Sequence, residues 1–215
     1  MKHKAKIFFL ILLTVAACDV EMATVKEETC LSYADQIIDF KPGPGAGFGM
    51  ASMPGIALEP EPDANPNRGS LHVISLGAGG EIILSFSEGK QIVNKEGPDF
   101  VIFENTFWIS GDSTNPYSEL GEVSVSLDGK TWAYFPCDDG VMPYDENCTG
   151  WRPRLFESAE QCCFSSPSEV GGDQYDLADI GMTAIRYIRI QDLSAEGTPP
   201  SAGYDLDVVG AFHIH

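Results

Sequence analysis

The apolar residues of this chain come in short runs, and Gly, Pro or Asp cuts nearly every run before it could complete a helix of ordinary length. The runs that survive alternate. Ile82, Leu84 and Phe86 are interleaved with Glu81, Ser85 and Ser87, and Val123, Val125 and Leu127 with Glu122, Ser124 and Ser126. A period of two is the mark of strands with one face turned to a core. "SLDGKTW" supplies a turn after the second of these runs and predicts a hairpin. "AIRYIRI" reads as a further strand. In the last run, "GYDLDVVGAFHI", the expected pattern puts Tyr204, Leu206, Val208, Phe212 and Ile214 on one face and Asp205, Asp207 and His213 on the other. Only "DLADIG", residues 176–181, predicts helix, and it is a single turn. Many short strands between Gly/Pro-rich loops predict an all-β fold, a two-sheet antiparallel β-sandwich with long loops.

One run does not alternate. "GPDFVIFEN" places four apolar residues between Asp99 and Glu104, which predicts a strand buried on both faces. Carboxylates at the ends of such a strand need partners, because an unpaired buried charge is expensive. The chain holds 13 basic and 32 acidic side chains, a net charge of -19. That balance excludes nucleic acid as an evident partner, since phosphate binding rests on Lys and Arg.

The N-terminus is basic, then apolar. "MKHKAK" precedes the eleven residues "IFFLILLTVAA", a stretch too short to span a bilayer comfortably and typical of an export signal. Ala16 and Ala17 before Cys18 resemble the lipobox of bacterial lipoproteins. That resemblance implies a signal peptide over 1–17 and a lipidated Cys18 with a charged tether over 18–29, anchored outside the cytoplasm; the strand pattern that follows predicts a single β-sandwich domain over 30–215. Disulfides persist there. Cys137 and Cys148 bracket a polar loop and are expected to be bridged. Cys30 is expected to reach Cys162 or Cys163, and five cysteines leave one over. No pair has the spacing of a zinc ribbon.

In chain order, "IIDFKPGPGAGFG", "SLGAGGEIILSFS", "GPDFVIFENTF", "GEVSVSLDGKTWAYFPC", "GGDQYDLADIGMTAIRYIRIQDLS" and "GYDLDVVGAF" together resemble a family of bacterial cell-surface lipoproteins of unassigned function. More distantly, "IRYIRI" followed by the "GYDLD" strand is similar to the end of galactose-binding-like (discoidin-type) jelly rolls. This second resemblance implies a jelly roll whose relatives bind sugars or surfaces through loops at one end, often beside a structural calcium. The vicinal Cys162-Cys163 departs from that pattern.

Two sets of residues are candidates for chemistry. Glu104, Asp99, Asp173, Asp176, Asp205 and Asp207 lie at strand ends or in Gly-containing turns, where carboxylates and backbone carbonyls could supply the six to eight oxygens calcium takes. The competing reading is that they accept backbone N–H bonds and cap turns. The second set is aromatic: Trp108 and Tyr117 in the long segment "NTFWISGDSTNPYSELG", and Trp151 in "GWRPRLF" beside Arg152 and Arg154. Exposed rings of this kind give platforms for sugars or a partner protein, whereas Trp132 is expected in the core. No G-x-S-x-G or H-E-x-x-H pattern is present, and catalysis is not expected. The expected function is a binding module for carbohydrate or an envelope protein; the alternative is a structural or interaction module with no small-molecule site. If Cys18 is lipidated, Cys18→Ser should move the exported protein from the membrane to the soluble fraction on ultracentrifugation.

Overall fold

The computed structural model describes residues 29–60, 66–87, 89–138, 147–156 and 163–215. The expected signal peptide, lipidated Cys18, most of the tether and Cys162 lie outside these residues. In chain order the strands are β1 (Thr29–Cys30), β2 (Ser32–Tyr33), β3 (Gln36–Lys41), β4 (Ile74–Ser75), β5 (Glu81–Ser85) and β6 (Ile92–Val93). The middle of the chain forms β7 (Phe100–Glu104), β8 (Phe107–Trp108), β9 (Pro116–Tyr117), β10 (Gly121–Ser126) and β11 (Ala133–Tyr134). Last come β12 (Cys163–Phe164), β13 (Asp173–Tyr175), β14 (Ala184–Ile185), β15 (Tyr187–Asp192) and β16 (Asp205–Ala211). Helical structure among the described residues is limited to short 3-10 turns. One of them is the expected turn, Leu177–Ile180, capped by the Asp176 carboxylate on the N–H of Ala178.

Two five-stranded antiparallel sheets carry the fold. The first runs β11-β10-β15-β5-β3, and the second runs β13-β7-β16-β2 with β4 also paired to β16. Between them lies the main core. Ile82, Leu84, Val123, Val125, Ile188 and Ile190 come from the first sheet and Phe100, Ile102, Tyr175, Leu206, Val209 and Ala211 from the second. This is a β-sandwich, as the alternation predicts.

The second sheet is buried on its outer face as well. Val101, Phe103 and Val208 point away from the main core into a second cluster with Leu31, Phe156, Phe164, Val170 and Phe212. All five residues of β7 and all seven of β16 are buried. The cover over this face is fastened by the Cys30–Cys163 disulfide, 133 residues apart in sequence. The expected Cys137–Cys148 bridge is also present. Two such bridges belong to an oxidising, extracytoplasmic environment.

Three expectations need correction. β16 is not amphipathic. Its register against β7 shifts between Leu206 and Val208, so Leu206 faces Glu104 while Val208 faces Phe103. After this bulge Val209 and Ala211 take the core side, and Val208 joins the outer cluster. An extra residue in one strand reverses the phase of all that follow. Leu127 does not continue the Val123–Val125 face but is exposed, because β10 ends at Ser126 and the turn begins. There Asp128 accepts N–H bonds from Lys130 and Thr131, both at 2.8 Å. Trp132 leaves the core for the outer face of the first sheet, where the Arg189 guanidinium lies 4.5 Å from its ring and also bonds Ser124 Oγ at 2.8 Å.

Burial on both faces makes a specific demand on β7. Ile102→Ala and Phe103→Ala, which empty opposite sides of the same strand, should each lower unfolding stability by about 2–5 kcal/mol in a denaturant titration. A neutral Phe103→Ala would mean that the outer cover does not pack.

Candidate functional site

The long segment that carries Trp108 and Tyr117 contains the short hairpin β8–β9. Phe107 pairs with Tyr117 and Trp108 with Pro116. Directly opposed residues share a face of a two-stranded ribbon. The Phe107 and Tyr117 rings accordingly stack, with centroids 5.3 Å apart and planes 14° from parallel. Trp108 and Pro116 face the other way and line a cavity of about 540 Å³. At the hairpin tip Asp112 accepts the N–H of Thr114 at 2.9 Å and its hydroxyl at 2.7 Å, closing an Asx turn.

The facing wall comes from residues 151–155 and 168–174, and it contains Trp151. This wall is held by several independent ties. Cys148 is bridged to Cys137 and accepts the Trp151 indole N–H through its backbone oxygen at 3.0 Å. Thr149 and Gly121 exchange both backbone bonds, at 2.9 and 3.0 Å. Gly150 has φ 96° and packs so closely on Glu119 that a Cβ would sit 2.0 Å from its carbonyl oxygen. Only glycine fits both the left-handed backbone and the close approach. Further along, Leu155 donates to Val170 and Gly172 to Pro153, each at 3.0 Å. The Arg152 guanidinium lies 4.1 Å from the centre of the Trp151 ring. Trp108 and Trp151 therefore share one cavity although they stand far apart in sequence. Tyr117, grouped with Trp108 on sequence, is on the reverse face of the hairpin and does not line the cavity.

Asp173 connects this wall to the sandwich. Its carboxylate accepts N–H bonds from Gly150 at 2.6 Å and Trp151 at 3.3 Å. Both bonds go to Oδ2, and Oδ1 is buried with no hydrogen-bond partner. Glu104 is similar. Its Oε2 accepts the Thr106 hydroxyl at 2.6 Å and its Oε1 is buried and unpartnered. Both side chains project from the second sheet on the core side, since Asp173 pairs with Ile102 two residues from Glu104. Close by, the Tyr204 hydroxyl meets Thr149 Oγ1 at 2.8 Å.

Loss of water dominates the acidity of these groups. Burial holds Glu104 well above the usual carboxylate range, helped by the charges of Glu119, Asp205 and Asp173. Burial likewise pushes Asp173 up to about 7, against the pull of its N–H donors. Half-buried Glu119 is pushed up to about 8 by desolvation and by the Asp205 and Asp192 charges. Asp205 is raised by burial, although it accepts the Ser75 hydroxyl.

The six acids read from sequence do not meet at one point. Asp99 and Glu104 stand at opposite ends of β7, a span of five residues at about 3.3 Å each, or about 16 Å. Asp99 accepts the N–H groups of Lys95 and Leu177, both at 2.9 Å, and Asp176 caps its turn. Asp207 lies 3.5 Å from the Arg154 guanidinium, and both are buried. No group of three or more His, Cys, Asp or Glu side chains among the described residues is placed to hold a metal. Glu104 and Asp173, each with a spare buried oxygen, have the hard-oxygen chemistry that calcium takes; backbone carbonyls and water would have to complete its shell. Sequence reading missed Glu119, whose setting depends on distant strands. It also missed Asp192, which ties Gly79, Ser194 and Tyr204 N–H groups together.

Comparison with models of known families and with curated proteins finds no match to this chain.

The raised acids set the sign of a pH dependence. An acid whose pKa is higher folded than unfolded keeps a proton that the unfolded chain has lost. Stability then falls as pH rises between the two values, by about 1.4 kcal/mol per pH unit for each such group. For Asp173 that window runs from its usual 3.8 to about 7. Denaturant titrations in chelator should show stability falling by a few kcal/mol from pH 5 to 8, and Asp173→Asn should flatten part of the slope. If calcium binds at Glu104 and Asp173, excess calcium should raise the melting temperature by several degrees at pH 8 and Glu104→Gln should remove that rise; no shift would make both acids structural.

Proposed function

We propose that the protein is a lipid-anchored, extracytoplasmic binding module that recognises carbohydrate, with its site in the cavity between the β8–β9 hairpin and the 151–155 segment. The observation that carries this reading is the convergence of Trp108 and Trp151 on one cavity. Indole faces are large and apolar, with little conformational freedom to lose on binding. The axial C–H faces of a pyranose fit against them. About 540 Å³ is the size of one or two sugar rings and lies within the range of small-ligand sites.

The supports around the cavity favour recognition over chemistry. The Cys137–Cys148 bridge, the Thr149–Gly121 pair and the Asp173 bonds hold the Trp151 wall before any ligand arrives, so little ordering cost remains at binding. A calcium ion at Glu104 and Asp173 would stiffen the same wall, because Asp173 already holds Gly150 and Trp151. The galactose-binding-like jelly roll and the lipid anchor at Cys18 belong to this reading as the finer form of an extracytoplasmic β-sandwich.

The rival is an interaction module in which the cavity receives a side chain of a partner protein. A panel of neutral and acidic oligosaccharides, titrated while tryptophan fluorescence is followed, separates the two. Saturable binding that weakens at least tenfold in Trp108→Ala, with unchanged melting temperature, is the expected result. No binding to any glycan would refute it and leave the interaction module.

A further inference from the structure

Gln174 is the residue of β13 that looks away from the main core. It pairs with Val101 of the outer cluster, while Asp173 and Tyr175 on either side pair with Ile102 and Phe100 of the main core. Its side chain therefore stands on the outer face of an edge strand, where it lines the aromatic cavity. Its amide nitrogen lies 2.8 Å from the Pro167 carbonyl oxygen and 3.2 Å from that of Gly171. Two carbonyls can be met only by N–H groups, so these contacts fix which end of the amide is which. Both N–H groups are spent on the wall. What the half-buried side chain can still give a ligand is its oxygen, an acceptor.

An apolar surface stands beside that acceptor. Gly171, whose carbonyl takes the Gln174 amide, packs so closely on Leu155 that a Cβ at 171 would lie 2.7 Å from Leu155 Cγ. Leu155 lines the same cavity and is 42 % exposed. The two stretches are tied together, since Leu155 donates its N–H to Val170 and Gly172 donates to Pro153. One piece of wall thus offers a hydrogen-bond acceptor and an exposed leucine, both in contact with Gly171. The ligand group that answers both carries an N–H donor next to a methyl. A hydroxyl answers only the first, and a carboxylate, which only accepts, answers neither.

We propose that the cavity selects a 2-acetamido sugar, with the pyranose ring on Trp108, the acetamido N–H donating to the Gln174 amide oxygen and the acetyl methyl against Leu155. This rests on the carbohydrate reading above and names the class of sugar. A site built to accept a hydrogen bond rejects an analogue that cannot donate it, because the acceptor is then left without a partner. Gln174 determines specificity, and Trp108 supplies contact area.

The test uses the full chain in mild detergent and disaccharides whose non-reducing unit is N-acetylglucosamine or N-acetylgalactosamine. Each is compared with its 2-O-acetyl ester, which keeps the carbonyl and methyl but replaces N–H by oxygen, and with the plain hexose. The acetamido sugar should bind about tenfold more tightly than either. Gln174→Met should bring the ratio of acetamido sugar to ester close to one while leaving the ester's affinity within about threefold. Leu155→Ala should weaken acetamido sugar and ester alike and spare the hexose. Equal weakening of all three sugars in Gln174→Met would make Gln174 a support of the wall only and overturn the proposal. Equal binding of the three to the unaltered protein, lost in Trp108→Ala, would overturn the acetamido selection and leave the sugar reading intact. Binding of none, or binding indifferent to Trp108→Ala, would overturn both. An N-acetylated dipeptide that binds as tightly as the acetamido disaccharide would overturn the sugar class. Melting temperatures of all variants separate lost binding from lost folding.

Discussion

Burial of the second sheet on both faces is the constraint on which the rest of the structure depends. β7 and β16 pair side by side, with the main core on one face of their sheet and the Phe103–Phe156–Phe164 cluster on the other. A β-sandwich ordinarily buries one face of each sheet and wets the other. Here a second cover must be provided, and the segments that provide it are the irregular ones, 153–156 and 163–172. Those segments have few strand ladders of their own. They are secured by Cys30–Cys163 and by the Arg154–Asp207 pair, which lies 3.5 Å apart in a dry setting. The same segments form one wall of the aromatic cavity, so the demand to cover a sheet places the candidate site.

The buried carboxylates follow from that architecture. A sheet with two dry faces leaves the backbone of the surrounding loops without water, and each N–H there needs an acceptor. Asp99, Asp173 and Asp192 meet this need, each accepting two or more backbone N–H groups. Much of the chain's acidity that is buried is therefore mortar between strand ends and loops. Glu104 differs from these three, since its Oε2 accepts the Thr106 hydroxyl and its Oε1 has no hydrogen-bond partner. Its position at the end of an all-apolar strand is costly unless a proton or a cation balances it. Asp173 belongs to both groups. It holds the Trp151 segment with one oxygen and shares the electrostatic setting of Glu104 with the other.

The cavity is assembled from two distant parts of the chain. Trp108 on β8 and Trp151 on a segment anchored at several points line it together. An aromatic hairpin that splits its rings between two faces explains why Trp108 and Tyr117, nine positions apart, serve different surroundings. Trp108 meets the cavity, and Tyr117 meets Phe107.

Local sequence determined what depends on local rules. Alternation at 82–86 and 123–125, the unbroken apolar run of β7, the single turn at 177–180 and the Cys137–Cys148 bridge were legible because period, turn chemistry and short loop closure act within a few residues. Tertiary structure decided the rest. The bulge after Leu206 reversed the faces of β16 because its phase is set by pairing with β7, about a hundred residues earlier. Trp132 lies on the outer face of the first sheet, against Arg189 of β15, a contact that strand order and not local sequence brings about. Trp108 and Trp151 met, and the six candidate acids separated, because strand order rather than spacing sets which loops share an end of the sandwich. Residue type told which groups could bind a ring or a cation; only the fold could bring two of them to one place.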